Sequence, residues 1–370
     1  MKKNLYKLFI ASVLKKIFLL LILLISGSTL GQVDRSIPDA GPAPEIKFKT
    51  PITKKLSNNL TLMVVEDNKL PTASATLIID NPPILSKGKS GVKSLLSSNL
   101  GKGNKFQNKD EFIEEKDFMG SFISYNSGGG SMSSLSRYFE RTLTMFAQGA
   151  LYPEFQDEEF EKEKTKLIDG LKIDEKNAST IARRVEDIIA FGNNHPQSEF
   201  TTQESVSNVE SIDIEEFYKT YFRPNNAYLI ILGDVDASEA INISEKLFGD
   251  WENSSNLENL FGDGSINSFE EASNSDNISI HVVDVPNSSN VEVTFQNIIK
   301  RTLKDENYFS ANIANRVLGA RPESRLESVI REDNGYAYYA RSILSSNSDT
   351  KTKFQARTTV RDEVTDSAVV

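Results

Sequence analysis

The sequence predicts an α+β protein made of two homologous sheet-plus-helices domains, the second incomplete at its C-terminal end. Three observations predict this. Short runs rich in Thr, Val, Ile and Leu alternate with longer, charged stretches of helical period. A segment dense in Ser, Asn, Gly, Asp and Glu, residues 253–277, interrupts them as a linker would. After it, the order of elements starts again, as in a duplicated unit.

Taken in order, residues 1–32 have the layout of a signal peptide. Lys2, Lys3, Lys7, Lys15 and Lys16 precede the apolar run from Ile17 to Ile25, and the small residues Gly27, Ser28 and Gly31 follow. That run is shorter than the ~20 residues a bilayer span needs. The chain is therefore expected to be exported, to the periplasm if its source is a Gram-negative bacterium, with no stable membrane insertion once the signal is removed. Residues 33–44 read as a tether, and the first domain as 45–252. In that domain Leu60–Glu66 and Thr72–Ile79 are expected to pair as a hairpin across Asp67-Asn68. Helices are expected over Ser90–Leu100, Lys109–Phe118, Arg137–Gln148, Asp157–Glu175, Ser179–Phe191, Ile214–Phe222 and Ala237–Phe248. Strands are expected at Ser121–Tyr125, Ser131–Leu135 and Ala227–Leu232.

The second domain, 278–370, offers strands at Ile278–Val283 and Val291–Phe295, helices at Asn307–Val317 and Glu323–Arg331, and strands at Ala337–Leu344 and Lys353–Val360. The Leu318-Gly319 helix end repeats Leu100-Gly101 at an offset of 218 residues.

Composition narrows the function. The chain is 38% hydrophobic and 25% charged, as a globular protein is, and its formal net charge of −10 without a basic run in the mature part argues against nucleic acid as a partner. There is no cysteine, so stability must come from the cores rather than from disulfides. There are only two histidines, His195 and His281, one on each expected domain. Ser94, Ser97 and Ser98 do not form a hydrolase triad, because no histidine is near them in sequence and no Gly-x-Ser-x-Gly elbow exists.

The stretch Gly91-Val92-Lys93-Ser94-Leu95-Leu96-Ser97-Ser98-Asn99-Leu100-Gly101-Lys102-Gly103-Asn104 resembles the signature helix of the insulinase, pitrilysin and mitochondrial processing peptidase family. In that helix a Gly precedes His-x-x-Glu-His, and a Leu, an apolar position and Lys-Gly-Thr follow. The resemblance implies that the two metal-ligand positions fall on Ser94 and Ser98 and the general-base position on Ser97. Phe160 to Leu171 is similar to the helix that gives the family its third ligand, and that position falls on Gly170, with Asp169 alongside. A serine hydroxyl is a weak ligand and no base, so this chain is expected to hold no metal. Asn194-His195-Pro196 resembles a structural turn of the family.

Ile330 to Tyr338 resembles the family's arginine and tyrosine pair, here Arg331 and Tyr338. The resemblance implies that both donate hydrogen bonds to a peptide carbonyl gaining negative charge. By residue type alone, Arg331 reads rather as a cation at a helix C-terminus and Tyr338 as a residue packed in a sheet, and it is the surrounding resemblance that reverses this. The resemblance implies a chain that is not an enzyme on its own but the non-catalytic subunit of a heteromeric, exported zinc metallopeptidase. The zinc would belong to a paralogue in a heterodimer, and the substrate would be an extended peptide added to a sheet edge. The alternative is a peptide-binding or structural scaffold subunit with no part in catalysis.

Overall fold

The computed structural model describes residues 15–16, 41–42, 45, 47–253, 273–274, 277–286, 288–348 and 350–370. Most of the expected signal segment, of the tether and of the linker lies outside the described residues. Among the described residues no helix is long and apolar enough to cross a membrane. Residues 1–49 are a unit by themselves, and their described part is exposed chain in which Lys47 pairs with Glu45 at 3.4 Å. Thr50–Val370 is one compact unit.

The strands of the first sheet are β1 (Ile52–Lys55), β2 (Thr61–Glu66), β3 (Thr72–Ile79), β6 (Phe122–Asn126), β7 (Gly129–Leu135) and β8 (Ala227–Gly233); β4 (Gly103–Asn104) and β5 (Gln107–Asn108) make a small ribbon. The sheet order is β1-β2-β8-β3-β7-β6. The expected hairpin between β2 and β3 is therefore absent. β8 lies between them, parallel to β2 with Val64 opposite Ile231 and antiparallel to β3 with Ala75 opposite Ile231. The reason is its sequence, Ala-Tyr-Leu-Ile-Ile-Leu-Gly, aliphatic on both faces and so best placed where both backbone edges are paired. β1 was not foreseen, and its exposed residues carry no hydrophobic alternation to announce it.

The helices are α1 (Val92–Asn99), α2 (Lys109–Phe118), α3 (Phe139–Leu151), α4 (Asp157–Asp174), α5 (Ala178–Phe191), α6 (Gln203–Ser207), α7 (Ser211–Tyr221) and α8 (Ala237–Phe248). Asn108 and Glu111 close a capping box at the start of α2, and the Asp236 carboxylate accepts the Glu239 N–H at the start of α8. α3 lies on β7, and α8 on β2. Leu143, Phe146, Ala147 and Ala150 of α3 join Leu62, Val64, Ala75, Leu77, Leu229 and Ile231 of the sheet in one core. α1 packs against α4, α7 and the edge strand β6.

The second sheet is three-stranded, with β9 (Asn290–Ile299), β10 (Ala337–Leu344) and β11 (Thr352–Arg361) in the order β10-β11-β9. Its helices are α9 (Tyr308–Leu318), the short α10 (Arg325–Glu327) running into a π-helical turn over Ser328–Asp333, and α11 (Thr365–Val369). Ile278–Val283, expected as a strand, pairs with no described strand, and Ile278, Ile280 and Val282 are exposed by 99%, 87% and 87%. In the first half the equivalent strand, β2, pairs with β8 rather than with β3. No described strand lies in β8's place beside β9, and Ile278–Val283 pairs with none of the described strands.

One helix crosses the expected domain boundary. α5, from the first, packs on β9 of the second, where Ala190 and Phe191 bury Ile298. The Gln296 amide donates to the Glu186 carbonyl at 3.0 Å, Gln355 donates to the Glu186 carboxylate at 2.9 Å, and Lys353 pairs with Asp187.

Candidate functional site

The helix bearing the three serines begins at Gly91, whose φ of +137° is a backbone state suited to glycine; a Cβ there would meet the Val206 side chain at 2.8 Å. α1 and α4 lie side by side, so the fold brings together the two elements on which the resemblance places metal ligands. Their side chains do not fit a zinc ion. The Ser97 hydroxyl donates to the Lys93 carbonyl at 2.7 Å and accepts the Ser127 backbone N–H at 2.9 Å, tying α1 to the turn between β6 and β7. The Ser98 hydroxyl donates to the Leu95 carbonyl at 3.1 Å. Ser94 is exposed, and Gly170, also exposed, has nothing within 4 Å of where a Cβ would stand. Asp169 pairs with Lys172 at 2.8 Å. Among the described residues no three His, Asp or Glu side chains gather as a metal site. Ion pairs join the end of α1 to α4 instead, with Lys102 at 3.2 Å from Glu163 and 3.9 Å from Glu159.

Neither histidine supplies a ligand group. His195 is buried, stacks on Phe191 with ring centroids 4.9 Å apart, and accepts the Gln197 N–H on Nδ1 at 3.1 Å. Burial holds its pKa below the usual histidine value. His281, expected in a strand, lies in the unpaired segment, exposed, with its Nε2 at 3.0 Å from the Ser279 hydroxyl.

Arg331 and Tyr338 do come together. The guanidinium carbon is 5.2 Å from the centroid of the Tyr338 ring, within the range of a cation–π contact. Two local irregularities put them there. Arg331 stands on the π-helical turn, which Asn334 closes by donating to the Val329 carbonyl at 2.7 Å, and which Gly335 leaves with φ +62°. Tyr338 stands where β10 carries an extra residue: Ala337 pairs with Val360, but Ala340 pairs with Thr358. Such a bulge re-aims side chains, and Tyr338 is 84% exposed. β6, the corresponding edge strand of the first sheet, runs against β7 without any shift. A shallow depression beside the pair is lined by Tyr336, Tyr338, Tyr339, Asn290, Thr359 and Arg361.

Glu327 was missed in the sequence, although its place four residues before Arg331 on a helix is a visible signal. Its carboxylate accepts Arg331 Nη1 at 2.8 Å and the Ala340 backbone N–H at 3.0 Å. The Ala340 bond first, and the Arg331 bond second, hold its pKa below the usual carboxylate range. Glu332 adds a looser contact to Arg331 Nε at 3.5 Å. No hydrogen bond, ion pair or ring contact among the described residues joins Arg331 or Tyr338 to the serines of α1.

Residues 208–369 match the family model for the peptidase M16 inactive domain. Solved structures share the fold, three of them as follows. A peptidase M16 inactive domain from Pseudomonas fluorescens is 19% identical with a TM-score of 0.74, over 87% of this chain and 77% of that one. A protease from Helicobacter pylori is 16% identical, also with a TM-score of 0.74, over 87% and 79%. A conserved protein from Enterococcus faecalis V583 is 15% identical with a TM-score of 0.67, over 87% and 78%. No curated protein sequence matches the chain.

Proposed function

We propose that this chain, whose residues 208–369 match the family model for the peptidase M16 inactive domain, is the non-catalytic subunit of a heteromeric, exported zinc metallopeptidase. The zinc belongs to a paralogue. This chain contributes substrate binding and the Arg331 and Tyr338 side chains, which donate to the carbonyl of an extended peptide as it gains charge. The observation that carries the reading is the contrast between the two sets of residues. Arg331 and Tyr338 are in contact and open to solvent on a bulge and a π-turn, whereas Ser97 and Ser98 spend their hydroxyls on backbone and Gly170 has no side chain to offer. Arg331 Nη2 makes no hydrogen bond among the described residues, which leaves one edge of the guanidinium for a substrate oxygen.

The test is peptide hydrolysis by this chain reconstituted with the zinc-bearing paralogue of its source, with association measured separately. Arg331→Ala or Tyr338→Phe should lower turnover on the order of 10² to 10³ fold while leaving association intact, since each removes one preorganised donor. Unchanged turnover would sink the shared site. Metal analysis gives a second test, in which the purified chain alone carries no stoichiometric zinc. One tightly held zinc per chain, lost on Ser94→Ala or Ser98→Ala, would defeat the assignment of those positions. A scaffold with no catalytic part is favoured by one observation, that Glu327 and Glu332 already pair with Arg331. That reading stands if turnover ignores both substitutions.

A further inference from the structure

Arg331 and Tyr338 sit on two departures from regular structure, a π-helical turn and a β-bulge. One carboxylate touches both. Glu327 takes Arg331 Nη1 on one oxygen and, on the other, the N–H of Ala340, two residues past Tyr338. Its side chain is 13% exposed, against 42% for Arg331 and 62% for Glu332, so it is the anchored member of this group of charges. Its own backbone is fixed in turn, since the buried Ser324 caps the turn by accepting the Glu327 N–H. Ala340 is buried on the edge strand of the second sheet, and Glu327 supplies the acceptor that its N–H needs.

We propose that Glu327 is the positioning residue for the Arg331 and Tyr338 pair. It clamps the π-turn to the bulge, so that guanidinium and phenol face one direction before any peptide arrives. The catalytic consequence rests on the shared-site reading above; the clamp itself does not. Preorganised donors act in the transition state only if they need not be reordered during reaction. Loss of the clamp therefore lowers kcat and leaves peptide binding, set elsewhere along an extended strand, nearly unchanged.

Two arms keep the proposal separate from the reading it builds on. In the isolated full chain, NMR of the arginine side chains, with Arg331 assigned through Arg331→Lys, should show an ordered Arg331 Nε–H and a contact between its side chain and the Tyr338 ring. Glu327→Ala should abolish both while the β11 amides keep their shifts. Glu327→Gln, which retains an acceptor for Ala340, should weaken the Arg331 order and spare the bulge. An Arg331 signal equally ordered in Glu327→Ala overturns the proposal. In the reconstituted complex, with an unstructured fluorogenic peptide as substrate, Glu327→Gln should lower kcat on the order of 10-fold with KM within about twofold. The double variant with Arg331→Ala should be no slower than Arg331→Ala alone, because the two act as a unit. Additive losses, or a drop seen with Arg331→Ala and not with Glu327→Ala, overturn it. If turnover ignores Arg331 and Tyr338, the shared site falls, and the NMR arm still decides whether Glu327 is the clamp.

Discussion

The two halves of Thr50–Val370 carry the same opening series of elements and end in different states of packing. In the first, β3 is paired on one edge by β7 and on the other by β8, and helices seal the sheet into a core in which Leu77, Phe146 and Leu229 are at most 1% exposed. In the second, β9 is paired by β11 alone among the described strands, and Phe295, Phe309, Ile313 and Val317 remain more than half exposed. The difference shows that strand character is a property of the neighbours as much as of the residues. β2 and Ile278–Val283 are both short aliphatic runs, yet only β2 has β8 to bond.

The largest expected effect tests the close packing of the first sheet. Gly129 and Gly130 stand opposite Ile78 and Leu77, where the matching register of the second sheet sets Gln355 opposite Gln296 and Ala356 opposite Phe295. Gly129 has φ +129°, and a Cβ on it would lie 2.0 Å from the Leu77 carbonyl oxygen. Gly129→Ala should therefore cost more than about 4 kcal/mol and leave little soluble folded protein. Circular dichroism and thermal melting check it, and a variant melting within a few degrees of the parent would break the contrast.

A sharper comparison comes from one aromatic on each side. Phe146 is fully buried and stacked on Tyr125 at 5.4 Å, so Phe146→Ala should cost about 3–5 kcal/mol. Phe295, 54% exposed, should cost less than about 1 kcal/mol on the same change. Denaturant unfolding of both variants decides. Equal losses would mean that the second sheet is covered in solution by something that hides Phe295.

The smallest effect concerns the junction. His195 stacks under the end of α5, and the nearby Gln197 amide donates to Thr350 Oγ1 at 2.7 Å and the Lys351 carbonyl at 3.0 Å, across the two halves. Because burial lowers its folded pKa, the unfolded chain takes up the proton first on acidification. The neutral ring's contribution is thus fully present above about pH 6.5 and is lost as pH falls from there through the folded value. His195→Gln should flatten the melting temperature profile in that window, whereas a profile of unchanged slope would remove His195 as the acid-sensitive contact.

Much of the fold was legible because local signals agree with it. The bounds of α2, α8, β3 and β10 match the expectation from periodicity, and capping groups at Asn108 and Asp236 close two of the helices that periodicity outlined. Sheet order was not legible. Asp67-Asn68 is a good turn, but turn chemistry says nothing about a strand arriving from more than 150 residues later to part the hairpin. The helix expected over Glu323–Arg331 dissolved at Glu323, which has φ +61°, and widened into a π-turn after Glu327. No pattern of side chains encodes that widening.

Sequence by itself determined the residue types, Ser at 94, 97 and 98 and Gly at 170, and the Arg331 to Tyr338 spacing that carries the family resemblance. These are matters of chemistry and local order, which a chain displays before it folds. Only the tertiary structure decided that β8 divides β2 from β3, that α5 packs on β9, and that Glu327 joins Arg331 to the strand bearing Tyr338. Those facts depend on which backbone groups and apolar faces find partners far away in sequence. That is a competition among long-range contacts, and no stretch of residues settles it alone.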